Sequence, residues 1–180
     1  MRVISGIARG RKLREPPGFD IRPTSDLVKE SIFNIVQFDI EGRRVLDLYA
    51  GTGQLGVESL SRGARSVDFV DSSPAAVKLI RENLKICGFS DSALVHGRDA
   101  LRFLEGKERY DLIFIDPPYE TSLVGRTMQK IIEFDKLNPN GIIICEIKTD
   151  SITPDASPPY FMKKEYRYGG VKIVSYCRED

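Results

Sequence analysis

Val45-Leu46-Asp47-Leu48-Tyr49-Ala50-Gly51-Thr52-Gly53-Gln54-Leu55-Gly56 is an apolar run that stops in a glycine turn. A run of this length, bounded by glycine and followed by helical spacing, reads as a buried parallel strand entering a strand–helix–strand unit. Asp47 breaks the apolar pattern. A carboxylate inside such a strand is costly if left unpaired, so a backbone or ligand partner is expected for it. Gly51 and Gly53 remove the side chains that would block close approach, which lets backbone N–H groups and a helix starting near Gln54 face a small molecule.

Upstream of this stretch, Arg44 to Tyr49 is the first strand, Glu41-Gly42 the break before it, and Thr24 to Phe38 a helix with Val28, Ile32, Ile35 and Val36 at helical spacing. Thr24, Ser25 and Asp26 follow Pro23 as candidate caps. Residues 1 to 23 carry six Gly or Pro residues and only a short β-like run, Arg2-Val3-Ile4, so they read as an extension and not a core element. Residues 1 to 14 hold Arg2, Arg9, Arg11, Lys12 and Arg14 without an acid. Such a run is often just a solvated face. Here glycine interspersed with arginine presents guanidinium forks on flexible backbone, a form suited to phosphates, and Arg22 and Lys29 extend that surface.

Downstream, Leu55 to Arg62 is a short helix closed by Gly63, and Val67 to Val70 a second strand ending at Asp71. Ser73 and Pro74 open a helix with the stripe Val77, Ile80 and Leu84 that runs to Gly88. A strand at Ala93 to Val95, a helix capped by Asp99 and closed by Gly106, and a strand at Tyr110 to Ile115 follow. Then come a helix through Met128, Ile131 and Ile132, a strand at Gly141 to Ile147, and a hairpin of Phe161 to Tyr166 with Val171 to Tyr176. The alternation predicts a mostly parallel seven-stranded sheet with helices on both faces and a C-terminal antiparallel hairpin. Residues 24–180 form one domain behind the 1–23 extension.

A chain of 180 residues, 41% hydrophobic and 29% charged, suits one well-buried globular domain. No apolar segment approaches the roughly 18 to 20 residues needed to cross a bilayer, and the N-terminus lacks a signal-peptide core, so a cytoplasmic location is expected. Cys87, Cys145 and Cys177 are scattered without C-x-x-C spacing, which fits reduced thiols. His96 is the single histidine, which leaves most metal sites and Ser-His or Cys-His catalysis without their parts. His96 reads as a surface or structural residue.

Ligands of open α/β sheets bind beyond the carboxyl ends of the strands. Four predicted strands carry an acid there: Asp47, Asp71, Asp99 and Asp116. Any one of them could be a cap, Asp99 above all; four on one rim suggest a site. Gly51-x-Gly53-x-x-Gly56 with Asp71 about twenty residues on fits either a nicotinamide dinucleotide or S-adenosylmethionine. Asp47 favours S-adenosylmethionine, whose ammonium it could oppose directly or through water, whereas a pyrophosphate would be repelled. Asp99 could then accept from the adenine amine, with the Ala100 N–H facing the ring.

Asp116-Pro117-Pro118-Tyr119 sets the reaction class. Two prolines restrict the backbone and offer carbonyls without competing donors. The Asp116 carboxylate and the Pro117 carbonyl become two acceptors aimed at one exocyclic base amine, which localises its lone pair for in-line attack on a sulfonium methyl. Tyr119 can stack on the flipped base. Proximity and orientation of this kind supply about 7 to 11 kcal/mol of barrier reduction. Other readings stay open: an adenine-N6 methyltransferase on RNA or DNA, a nicotinamide-dependent oxidoreductase, and an RNA-binding assembly factor with a vestigial pocket.

The segment Leu46 to Gly53, taken with Asp116 to Tyr119, resembles the class I S-adenosylmethionine-dependent amino-methyltransferases. Within them the chain is similar to the bacterial RsmD family. The matches are Arg9-Gly10-Arg11-Lys12-Leu13, Arg22-Pro23-Thr24-Ser25-Asp26 with Val28-Lys29-Glu30, Phe33-Asn34, and Leu55 through Ala64. Ser5 and Ala8 stand where a glycine and an aromatic are common, and Tyr166 to Tyr176 matches loosely. The resemblance implies a Rossmann-like fold and a cytosolic enzyme that methylates the exocyclic N2 of one guanine (966 in the customary numbering) of 16S ribosomal RNA, on an assembling 30S subunit. Carried onto this chain, it adds Tyr49, Ala50 and Ser72 to Asp47, Gly51, Gly53, Asp71, Asp99 and Ala100 as the cofactor set, with no metal. It makes Asp116 to Tyr119 catalytic and adds Thr24 to Arg9, Arg11, Lys12, Arg22 and Lys29 as RNA contacts.

Overall fold

The structure, a computed structural model, describes residues 1–16, 26–118 and 121–179. In chain order the elements are α1 (Asp26–Ile35), β1 (Arg44–Leu48), α2 (Gln54–Ser61), β2 (Ser66–Asp71), α3 (Pro74–Cys87), β3 (Ala93–Gly97), α4 (Ala100–Phe103), β4 (Tyr110–Ile115), α5 (Thr121–Glu133), β5 (Leu137–Lys148), β6 (Tyr160–Tyr168) and β7 (Val171–Arg178). A 3-10 turn at Ser90–Ser92, not expected from the sequence, leads into β3. The expected caps Thr24 and Ser25 lie outside the described residues. At its other end α1 stops before Phe38, although Val36 is still buried.

The seven strands form one sheet in the order β3-β2-β1-β4-β5-β7-β6. β1 to β5 run parallel, β7 runs antiparallel to β5, and β6 pairs antiparallel with β7. Chain order reverses at β1, which has β2 on one side and β4 on the other. A crevice therefore opens beyond the carboxyl ends of β1 and β4.

Side-chain alternation sorts β1 between two cores. Val45 packs with α1, α2 and α3 residues such as Phe33, Leu60 and Ile80; Leu46 and Leu48 pack with Leu104, Met128 and Ile131 from the other face. Each fully buried side chain of this size contributes roughly 1.5–3 kcal/mol. By parity Asp47 faces the first of these layers, toward α2. In α3 the chain follows its local signals: Ser73 Oγ accepts from the Ala76 N–H at 3.4 Å, Pro74 occupies the first turn, and Gly88 closes the helix in the left-handed region.

The N-terminal segment corrects the expectation of an extension outside the core. Val3, Ala8 and Leu13 are buried in the same core as α1 to α3. The segment folds back on itself through an antiparallel bridge between Arg2 and Lys12, with the Val3 N–H donating to Arg11 O at 3.0 Å. It lies against α2 so tightly that a Cβ on Gly6 would come within 1.8 Å of Ser61 O. Only glycine, here at φ +80°, fits that contact.

Candidate functional site

Register places the parts of the crevice side by side. Leu48 pairs with Ile115, so the residues that follow them, Tyr49 and Asp116, leave adjacent strand ends. Tyr49 adopts φ +60°, a strained left-handed conformation for a tyrosine, of the kind that gathers at functional sites. Its ring is held by its hydroxyl, 2.6 Å from Thr127 Oγ1 on α5. Thr127 gives its own proton to Leu123 O, so the tyrosine is the donor. The glycine turn follows. Gly51 and Gly53 both have positive φ, and the Gly51 N–H donates to Asp71 Oδ2 at 2.9 Å. Gly56 serves packing: a Cβ there would lie 2.2 Å from the Phe69 ring, so the glycine lets α2 sit close on β2.

Asp47 has the partner its position requires. The residue is 1% exposed, and Oδ2 accepts the Gly56 N–H of α2 at 2.9 Å. Burial holds its pKa well above the usual carboxylate range; Asp116 and Asp71 push it further up, and the Gly56 hydrogen bond pulls it down. Two of the other three rim acids, Asp71 and Asp116, thus act on Asp47 electrostatically. Asp71 also accepts the Ser73 N–H through Oδ1 at 2.8 Å, and each of its oxygens retains a lone pair for a ligand hydroxyl. Asp99 is exposed and caps α4, accepting the Arg102 N–H at 3.0 Å, while Ala100 behind it is buried.

These residues fit S-adenosylmethionine on two observations. A Cβ at Gly51 would meet nothing nearer than Tyr49 O at 3.9 Å, so the turn has an open side. At the first position of α2, Gln54 Oε1 is buried without a hydrogen-bond partner, an acceptor available to a ligand donor. Asp116 and Pro117 are half-buried and Pro118 is exposed. Tyr119 lies outside the described residues. A groove of about 510 Å³ opens beside Ser72 and Gly97 and runs along α3 past Lys78, Arg81 and Lys85.

On the arm, Arg9, Arg11 and Lys12 are exposed. Arg22 and Thr24 lie outside the described residues. Lys29 requires a correction: it is fully buried, its ammonium donates to Arg2 O at 2.6 Å and faces Glu58 at 3.9 Å, and burial lowers its pKa. It fastens the arm from below and presents no charge to solvent.

The family model described as Conserved hypothetical protein 95 matches residues 1–177. The chain belongs to that family. It is the RsmD family, so the resemblance in the sequence extends over the whole chain. A Bacillus subtilis protein named as a candidate rRNA methyltransferase is 37% identical, with 98% of each chain covered. The Haemophilus influenzae protein named Ribosomal RNA small subunit methyltransferase D is 35% identical over 98% of this chain and 91% of its own. A solved Escherichia coli chain, described as a candidate methyltransferase, superposes with a TM-score of 0.90 at 29% identity, covering 100% of this chain and 98% of that one. The fold is that of the class I S-adenosylmethionine-dependent methyltransferases.

Sequence reasoning about this RsmD-family chain missed the residues that hold the site together. Glu58 is fully buried and accepts the N–H groups of Ile4 and Ser5 at 2.7 and 2.9 Å. Ser61 Oγ accepts from the Ala8 N–H at 2.9 Å and donates to Ser5 O at 2.6 Å. Asn83 joins α3 to the arm and to the glycine turn. Leu55 to Ser61 of α2 are all buried, Glu58, Ser59 and Ser61 among them, and no local signal in the sequence marks these polar residues as buried.

Proposed function

We propose that the protein transfers a methyl group from S-adenosylmethionine to the exocyclic N2 of a guanine in 16S ribosomal RNA, on an assembling small subunit. The observation that carries the reading is the pairing of Leu48 with Ile115, which brings the glycine turn and Asp116-Pro117-Pro118 to neighbouring strand ends. Relatives named for ribosomal RNA small subunit methylation support the substrate class.

When bound, S-adenosylmethionine supplies an electrophilic methyl group on a sulfonium. The protein's part is to hold and orient. The Asp71 carboxylate takes ribose hydroxyls, and Asp47, Gly51 and Gly53 shape the seat of the ligand's charged end. The Asp116 carboxylate and the Pro117 carbonyl accept the two N–H bonds of the guanine amine, which turns its lone pair toward the methyl group. Asp116 would then accept the proton that the amine releases as the N–C bond forms and the S–C bond to the methyl group breaks, leaving S-adenosylhomocysteine as the neutral thioether. Tyr119 stacks on the base, and Arg9, Arg11 and Lys12 engage phosphates without specifying sequence.

Asp116→Ala tests this. It should lower methyl transfer about 10²–10³-fold, as removal of one preorganised transition-state contact does, while S-adenosylhomocysteine binding by calorimetry changes by less than about threefold. Undiminished turnover would overturn the role given to Asp116. Nucleoside analysis of the product distinguishes guanine N2 from adenine N6.

A further inference from the structure

Asn83 lies toward the C-terminal half of α3, is fully buried, and reaches two segments that the proposed chemistry uses separately. Its Oδ1 accepts the Arg14 N–H at 2.7 Å and its Nδ2 donates to Arg14 O at 3.2 Å, a two-bond clasp on the backbone of the arm. The same Nδ2 donates its second proton to Thr52 O at 2.9 Å, between the two glycines of the turn. One rigid amide therefore fixes where the arm leaves the core and where the glycine turn sits. The arm meets the turn a second time, with Thr52 Oγ1 donating to Met1 Sδ at 3.6 Å. From the opposite side the turn is held by Asp71 through the Gly51 N–H.

We propose that Asn83 is a positioning residue that links RNA binding on the arm to cofactor binding in the glycine turn. The inference rests on the function proposed above and adds a regulatory property to it. All three of its hydrogen bonds need one placement of the side chain, and a buried amide left half-satisfied is unfavourable. A displacement of Arg14 therefore tends to move or orphan the amide, and the Thr52 carbonyl with it. When RNA fixes the arm it selects the position of the turn that receives the cofactor, and a bound cofactor selects the position of the arm. Linkage of this kind is reciprocal.

The experiment measures S-adenosylhomocysteine affinity calorimetrically for the full chain, with and without saturating purified 16S ribosomal RNA, and RNA affinity with and without S-adenosylhomocysteine. The wild-type protein should show each ligand tightening the other by the same factor, about fivefold or more. Asn83→Ala should bring the factor to about one while both ligands still bind, because the effect sought is the coupling and not either affinity. Arg14→Pro is the second variant. It leaves position 83 unchanged, removes the N–H that Asn83 Oδ1 accepts while keeping the Asn83 bonds to Arg14 O and Thr52 O, and should lower the factor toward one. A merely structural asparagine would lower thermal stability in these variants and leave the factor at its wild-type value, which would overturn the proposal. A factor of one in the wild-type protein, with both ligands bound, would overturn the linkage and leave the methyltransferase reading intact. Failure of the wild-type protein to bind S-adenosylhomocysteine, or to bind 16S ribosomal RNA both as purified RNA and in partly assembled small subunits, would overturn both.

Discussion

Asp47 carries opposite consequences for stability and for binding. Its folded-state pKa is raised by burial first and by Asp116 and Asp71 after it, above the value it has in the unfolded chain. The unfolded chain therefore releases this proton more readily than the folded one. As pH rises from the unfolded value toward the folded one, stability falls, and above the folded value the full penalty remains. Asp47→Asn keeps an oxygen for the Gly56 N–H and removes the buried charge. The variant should unfold at a higher temperature than the wild-type protein at pH 7, and the difference should shrink on acidification through the interval between the two pKa values. Under the proposed function it should also bind S-adenosylmethionine roughly tenfold more weakly, the size of one charge-assisted contact. Thermal scans against pH and calorimetry at pH 7 check the two halves. A variant no more stable than wild type at neutral pH would contradict the account of this carboxylate.

The N-terminal arm and α2 form one element of packing. Glu58, buried at the centre of α2, satisfies two arm N–H groups, Arg62 at 2.9 Å and the ammonium of Lys29 at 3.9 Å. Glu58→Ala leaves a buried lysine and two backbone donors without that partner, and should cost about 3–5 kcal/mol in urea unfolding. A loss no larger than that of an exposed ion pair, roughly 0–1 kcal/mol, would mean the arm is not anchored there. Charge on the outer side of the arm belongs to a different experiment. Replacing Arg9, Arg11 and Lys12 together by Ala touches none of these anchors. It should weaken RNA binding and lower the slope of log affinity against log salt by about two to three. An unchanged slope in filter binding would mean that the arm does not meet phosphates.

Across the whole molecule, most of the sheet was legible in the sequence, because its signals are local. β4 spans Tyr110–Ile115, and α3 begins and ends at its serine cap, its proline and its glycine. The seat of the glycine turn could be read from an apolar run broken by one acid. The anchoring of the arm could not, because it depends on side chains 53 to 69 positions away, such as Glu58, Ser61 and Asn83, whose types also suit a solvated helix. Lys29 was misread for the same reason: a lysine beside a basic segment looks like more surface until its neighbours in space are known. The rim acids sit between these extremes, since four strand ends carry them, yet Asp71 and Asp99 also spend hydrogen bonds on the backbone. The central claim concerns the chemistry that this rim supports. Purified protein, 16S ribosomal RNA or partly assembled small subunits, and methyl-labelled S-adenosylmethionine should give one labelled nucleoside, N2-methylguanosine, by mass spectrometry. A labelled N6-methyladenosine, or no labelled nucleoside from either form of the RNA, would contradict it.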